Sequence, residues 1–346
     1  MLRPRITPCL LVKNMGLVKT VNFKNEKYVG DPINAVRIFN EKEVDELIVL
    51  DIDATTTRRE PDFRMIENLA SECRMPFCYG GGIKTAEQAL RLIGLGVEKI
   101  ALSSAAVDSP ELVSEIAEQV GSQSVVVVMD VKKNVMNGNY EIWTHNGRRC
   151  IRKCPIEFAQ QLERFGVGEV IVNSIDRDGV MQGYDYTLVD KIRKSITVPM
   201  TILGGAGSLK DIGQLIRRYG IIGAAAGSLF VFKGVYRAVL INYPNIEEKD
   251  ALIEELVVYN SDVEIINSTI KTGKTVAIAA QNAKISIVAS TVFGKIKLHN
   301  AKLHLLGITM DTLDKPIEAL SPSMVFFSLC EINDKLIHGK EILGLR

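Results

Sequence analysis

Three aspartates stand where short apolar runs end. Asp51 closes the run from Glu46, Asp130 closes Ser-Val-Val-Val-Val-Met at 124–129, and Asp178 lies in Asp176-Arg-Asp-Gly179. A carboxylate so placed can act as general acid or base toward a ligand within hydrogen-bond reach. It can equally cap a loop, and for Asp178 the tract can be read as a turn. Glycine-rich turns accompany the acids: Gly80-Gly-Gly82 with Ser103 and Ser104 downstream, and Gly204-Gly-Ala-Gly207 with Gly227 and Ser228 downstream. Glycine lets backbone N–H groups approach a phosphate, and a following helix N-terminus adds partial positive charge. One such turn is weak evidence. Two matched pairs imply two phosphate cradles, Gly81, Gly82, Ser103 and Ser104 on one side and Gly179, Gly205, Gly227 and Ser228 on the other. The ligand is then a small molecule phosphorylated at both ends. The stretch from Asn14 to Gly30 carries Lys19, Lys24 and Lys27, just after Lys13. It reads either as a mobile lid over that ligand or as an unstructured basic loop.

The elements that must position these residues alternate in type. Eight β-rich runs are expected at Arg5–Val12, Glu46–Ile52, Met75–Tyr79, Lys99–Leu102, Ser124–Met129, Glu169–Asn173, Val198–Leu203 and Gly223–Ala226. Amphipathic stretches lie between them, including Asp62–Cys73, Thr85–Leu95, Pro110–Gln119 and Pro155–Phe165. Ser109 before Pro110 reads as a helix cap, Thr85 with Gln88 as a capping box, and Gly166 as a helix stop. Eight such units in one chain imply a closed (β/α)₈ TIM barrel, with chemistry at the C-terminal ends of its strands. Leu10-Leu-Val-Lys13 parallels Met129-Asp-Val-Lys132, Gly80-Gly-Gly-Ile83 parallels Gly204-Gly-Ala-Gly207, and Leu102-Ser-Ser-Ala-Ala106 parallels Ala226-Gly-Ser-Leu229. Their common spacing implies that the barrel is a duplicated half-barrel.

The barrel is expected over residues 1–244, a linker or short acidic helix over 245–256, and a β-rich domain over 257–346. In that last region Ser268-Thr-Ile is repeated at Ser290-Thr-Val, and Asn282-Ala-Lys-Ile at Asn300-Ala-Lys-Leu. Imperfect coils of this length suggest a small β-solenoid; an antiparallel sandwich is the alternative. His299 and His304 are expected to face solvent.

Composition narrows the function classes. Forty-two basic against 41 acidic residues give a net charge of +1, which offers no footprint for nucleic acid or an anionic membrane. No run reaches the roughly 18 apolar residues of a membrane span, and residues 1–13 lack a signal-peptide pattern, so a cytoplasmic protein is expected. Six cysteines in so long a chain do not make a disulfide framework. Cys150 and Cys154 lack the second pair that a zinc site needs. No metal or cofactor is expected.

With these motifs in view, residues 1 to about 243 resemble the cyclase subunit of imidazole-glycerol-phosphate synthase, the HisF family. The resemblance is carried by Gly30-Asp-Pro32, Glu46-Leu-Ile-Val-Leu-Asp51, Gly80-Gly-Gly-Ile83, Gly121-Ser-Gln-Ser-Val-Val126, Ser174-Ile-Asp-Arg-Asp-Gly179, Gly183-Tyr-Asp185 and Gly204-Gly-Ala-Gly207. It implies a barrel that docks a HisH-like glutaminase on its N-terminal face and receives ammonia through its core. At the far face the family closes an imidazole ring on a bisphosphorylated ribulosyl compound. The family's ammonia gate is a ring of four charges, matched by Arg5, Glu46, Lys99 and Glu169; an ion-pair network that merely stabilises the barrel base is the plainer reading. Lys19, Asp51 and Asp178 also match.

The departure is at the mouth. The family uses aspartates at the ends of strands one and five. Asp130 matches the second, but the first falls on Leu11, which cannot transfer a proton. Ser103 and Ser104 replace other polar residues, and Leu203 stands at a serine-type position. The segments Cys9-Leu-Leu-Val-Lys-Asn14, Arg59-Glu-Pro-Asp62, Tyr79-Gly-Gly-Gly82 and Leu240-Ile-Asn-Tyr-Pro244 resemble the WbuZ-type paralogues of surface-polysaccharide pathways. That branch implies ammonia supply to a separate N-acetyl sugar amidotransferase. Three readings stand open: a subunit supporting sugar amidation, an authentic cyclase (a lyase) of histidine biosynthesis, and a non-catalytic scaffold assembled through the β tail.

Overall fold

The computed structural model describes residues 4–343 apart from 235, 246–247, 250–255, 260–261, 267–268, 282, 312–315, 320–322 and 333–334. Most of the expected 245–256 linker therefore lies outside the described residues. The chain divides into two compact units, residues 1–212 with 221–244, and residues 213–220 with 245–346.

The first unit opens with β1 (Arg5–Lys13), β2 (Gly16–Val21), β3 (Lys24–Gly30), α1 (Pro32–Glu41), β4 (Leu47–Asp51), α2 (Phe63–Glu72), β5 (Phe77–Gly80), α3 (Ala86–Gly94), β6 (Lys99–Leu102), α4 (Ser104–Asp108) and α5 (Glu111–Val120). It continues with β7 (Val125–Lys133), β8 (Tyr140–Thr144), β9 (Arg149–Cys150), α6 (Pro155–Arg164), β10 (Glu169–Ser174), α7 (Tyr186–Arg193), β11 (Met200–Leu203), α8 (Leu209–Tyr219, which from Gly213 on belongs to the second unit), β12 (Gly223–Ala226), α9 (Ser228–Val231), β13 (Phe232–Lys233) and β14 (Ala238–Val239). Strands β1, β4, β5, β6, β7, β10, β11 and β12 pair in parallel in that order, and β12 returns to β1. The eight-stranded barrel is thus closed, with helices between its strands.

Local sequence explains the helix starts. Asp31, Asp62, Thr85 and Asp185 each accept a hydrogen bond from the backbone N–H three residues on, satisfying a donor that the helix leaves orphaned. The Gln88 side chain accepts from the Lys84 N–H at 2.8 Å, one residue short of the expected capping-box partner. Ser109 does not cap α5: Pro110 takes the cap position with a helical φ, and the Ser109 hydroxyl turns to Glu111 instead.

Alternate strand residues point inward. Cys9, Ile48, Cys78, Ala101, Val126, Val128, Ile171, Leu203 and Ala225 form one buried cluster inside the barrel, with Leu11 and Leu50 packed against it. Each large aliphatic side chain buried there contributes about 1.5–3 kcal/mol.

The stretch after β1 is not an unstructured loop. β2 and β3 form an antiparallel hairpin that continues β1, with Leu11 opposite Val18. β7 behaves alike: it runs on past Asp130 to Lys133 and pairs with β8, which pairs with β9. The first strand of each barrel half is therefore followed by a hairpin standing over the mouth.

The second unit contains β15 (Leu256–Tyr259), β16 (Asp262–Ile266), β17 (Thr269–Gln281), β18 (Lys284–Val288), β19 (Thr291–His299), β20 (Lys302–Leu306), β21 (Thr309–Asp311), β22 (Ile317–Ala319), β23 (Ser323–Ile332) and β24 (Lys335–Leu343) in one ten-stranded sheet. Every pairing is parallel except that of β23 with β24. This excludes the antiparallel sandwich. The sequence repeats set the register: Thr269 pairs with Thr291, and Lys284 with Lys302. Ile285, Ile287, Leu303, Leu305, Val325 and Phe327 alternate into a common core. His304 lies between the buried Leu303 and Leu305 and so on the face away from that core, half-covered by Phe326, whose ring is 4.6 Å away. The side chain of His299 lies outside the described residues.

Candidate active site at the barrel mouth

At the base, four charges close a ring. Arg5 contacts Glu46 at 2.7 Å and Glu169 at 2.6 Å, and Lys99 contacts the same two carboxylates at 2.6 and 2.8 Å. Both glutamates are about 5 % exposed, and the Thr201 hydroxyl adds a donor to Glu169. Against its burial, Arg5 and Lys99 hold Glu169 below the usual carboxylate range. Alternating cations and anions each satisfy two neighbours, which is what makes ions tolerable at this depth.

Above the apolar cluster a cavity of about 530 Å³ opens between the strand ends. Asp51, Asp130, Asp178, Lys19 and both glycine–serine groups line it, whereas Lys13, Lys24 and Lys27 do not. Ser104 and Ser228 begin α4 and α9. The Lys19 ammonium donates to the Cys9 carbonyl and lies so close over Gly227 that a Cβ there would come within 2.5 Å of it. A lysine held at 5 % exposure beside a glycine turn is placed to meet an anionic group. Burial lowers its pKa, while Cys9 and Asp178 act in the opposite direction.

The three aspartates sit in different surroundings. Asp130 faces the cavity; burial, reinforced by Asp178, pushes it up to about 7, while the Asn173 amide and the Ser103 hydroxyl pull it back. Asp178 is clamped by the first hairpin, accepting from the Thr20 hydroxyl at 2.6 Å and the Phe23 N–H at 3.1 Å. Burial raises its pKa, and those donors with Lys19 oppose the rise. Asp51 accepts from the Asp53 and Ala54 backbone N–H groups at 3.3 and 3.1 Å, as a turn-capping aspartate does. Burial and the adjacent Asp53 carboxyl push it up to about 7, and Arg59 opposes this. A carboxyl held near 7 at a cavity wall can give or take a proton at neutral pH.

Leu11 stands in register with Leu50 on β4, where Asp130 stands in register with Asn173 on β10. One side of the mouth thus offers an acid with an amide donor, and the other offers two leucines. Leu203 joins the same apolar surface at 8 % exposure.

Several lining residues escape a reading of strand ends. Thr20 and Phe23 reach the site only because β2–β3 folds back. Asn173 is one position beyond an apolar run. His145 and Asn146 come from the turn between β8 and β9; Asn146-Gly147 between two short runs was the available signal.

The histidine biosynthesis protein family matches residues 5–237. The chain is 56% identical to the "Putative imidazole glycerol phosphate synthase subunit HisF" of Leptospira interrogans over 252 residues, 73% of this chain and 99% of that protein. It is 53% identical to the "Putative imidazole glycerol phosphate synthase subunit hisF2" of Pseudomonas aeruginosa, over 72% of this chain and 99% of that one. Imidazole glycerol phosphate synthase subunit HisF of Streptococcus sanguinis is 36% identical over 66% of this chain and 91% of its own length. Among the described residues no helix is long and apolar enough to cross a membrane. On the span of the family match and on its identity to these relatives, this chain belongs to the HisF family.

Proposed function

We propose that the barrel is an ammonia-receiving subunit, paired with a HisH-like glutaminase, that supports amidation of an N-acetyl sugar by a separate amidotransferase in surface-polysaccharide biosynthesis. The observation that carries this reading is the pairing of Leu11 with Leu50 above an intact ring of Arg5, Glu46, Lys99 and Glu169. A subunit that delivers ammonia needs the ring and an apolar bore, which keep the molecule neutral; it does not need the family's opposed pair of aspartates. Retention of both glycine–serine cradles and of Lys19 supports a phosphorylated ligand at the mouth as a second input.

The test is turnover of the bisphosphorylated ribulosyl compound with ammonium salts in place of a glutaminase. Removing one acid–base group costs roughly 10²–10⁴-fold, so the wild-type chain should fall short of a two-aspartate HisF subunit by that order. Leu11→Asp should raise the residual rate. Turnover at the full family rate would overturn the reading in favour of an authentic cyclase of histidine biosynthesis. That second reading is supported by Asp130, whose burial holds it near 7, a value suited to proton transfer.

For the second unit we infer a small β-solenoid. Its support is the succession of parallel partners from Asp262 to Lys284, Lys302 and Met324, which stacks β16, β18, β20 and β23 as successive rungs. A tail of this kind suits assembly or recruitment. Removing residues 246–346 should then change the particle mass or the binding of the amidotransferase; no change in either counts against it.

A further inference from the structure

The turn between β8 and β9 carries His145, the sole imidazole of residues 1–244. It lines the same cavity as Asp130. Three consecutive residues hold the left-handed backbone, His145 at φ 55°, Asn146 at φ 56° and Gly147 at φ 68°. Two of them are not glycine; Asn and His enter this region more readily than most residues, a tight hairpin turn requires it, and it persists where the surroundings hold it.

The surroundings do so here. The His145 N–H donates to the Ser104 hydroxyl at the start of α4, at 3.4 Å, and the Asn146 amide donates to the Ile52 carbonyl just past Asp51. Gly147 lies against the Phe23 ring at the tip of the β2–β3 hairpin. A hairpin that grows from the Asp130 strand therefore crosses the mouth and fastens onto the first half of the barrel, next to the strands that carry Leu11 and Leu50. The imidazole Nδ1 pairs with the Thr144 hydroxyl at 3.0 Å, and Thr144 is fully buried. In the tautomer whose Nδ1–H donates to that hydroxyl, Nε2 is the nitrogen left to accept from a ligand.

We propose that His145 is the second acid–base residue of this cavity and supplies the proton transfer that Leu11 cannot. The step is a proton transfer alone. Neutral imidazole accepts one proton at Nε2 from a ligand group as that group becomes nucleophilic, and the imidazolium returns it to the leaving atom or to water. Asp130 works in the opposite sense. The proposal rests on the cavity taking a phosphorylated ligand, not on the identity of the sugar acceptor.

The full chain is tested in a mutant cycle on ammonia-dependent turnover of the bisphosphorylated ribulosyl compound. His145→Gln should lower the residual rate of the wild type by about 10²-fold and should have little effect in the Leu11→Asp background. Equal loss in both backgrounds, or loss in neither, overturns the proposal. A second readout needs no turnover. Glycerol 3-phosphate should shift the His145 ring-proton resonance saturably, with the assignment fixed by its absence in His145→Gln. If that probe perturbs other cavity signals but not His145, the proposal fails while the ligand reading stands. If it perturbs none, both fail.

Discussion

The Asn173 amide donates to Asp130 Oδ1 at 2.8 Å, and the two residues are in register on neighbouring barrel strands. This contact opposes the burial that holds the proton on the acid facing the cavity from the end of β7. It also frames several outcomes that can be measured.

Burial keeps the Asp130 proton in the folded chain to about pH 7, whereas an unfolded aspartate releases it near about 3.9. The folded state therefore binds more protons between those values, and stability falls as pH rises from roughly 4 to 7. Asp130→Asn removes that loss. It should stabilise the barrel by about 1–3 kcal/mol at pH 8 and leave it near wild type at pH 4. Urea unfolding at both pH values checks this, and an equal shift at both would contradict it. Asn173→Leu acts oppositely on the acid: without the donor, the Asp130 carboxyl carbon should titrate at higher pH by NMR.

Lys99→Met leaves two buried glutamates with one arginine. Breaking a buried ion network by removing one partner costs about 3–5 kcal/mol. Because Glu46 and Glu169 are almost fully covered, the loss should change little between low and high salt. A loss below about 1 kcal/mol, or one abolished by salt, would mean that the ring is hydrated and does not seal the base.

Much of this site was legible in the sequence because barrel strands end in recognisable ways. The eight apolar runs, the glycine turns and the aspartates after them all lie where a parallel barrel needs them, and β6 and β12 kept their expected bounds, Lys99–Leu102 and Gly223–Ala226. What escaped depends on folding back. The stretch holding Lys19, Lys24 and Lys27 lacks the strict alternation of a strand and has four polar residues in a row at 24–27, so its charge suggested a loop. In the fold Lys19 turns inward to Cys9 while Lys24 and Lys27 stay exposed. Asp51 lines the cavity and also accepts from the backbone N–H groups of Asp53 and Ala54, a turn contact that its place after an apolar run did not specify. The partner strand of a parallel ladder lies far off in sequence, so the Asp130–Asn173 pair could not be read from local spacing.

Gly179 has φ 66°, and a Cβ there would lie 2.1 Å from the Thr20 carbonyl oxygen. Backbone cannot yield as a side chain does, so Gly179→Ala must push the β2–β3 hairpin away. That displacement breaks the Thr20 and Phe23 donations to Asp178. Stability should drop by more than the 1 kcal/mol or so of an ordinary glycine replacement. Affinity for glycerol 3-phosphate should fall as Lys19, on the same hairpin, moves off Gly227. Unchanged affinity would show that the hairpin is not what holds this cation in place.

In the second unit Leu303 is fully buried between Ile285 and Val325, its partners in register on β18 and β23. Truncating it opens a gap in a ladder where every layer supports the next, so Leu303→Ala should cost about 2–5 kcal/mol. If the two compact units unfold separately, calorimetry will show two transitions and only one will move. The Lys99→Met variant should move the other. Both transitions shifting together in either variant would mean that barrel and β domain melt as one cooperative body, and a tail removed from such a body would not leave the barrel intact.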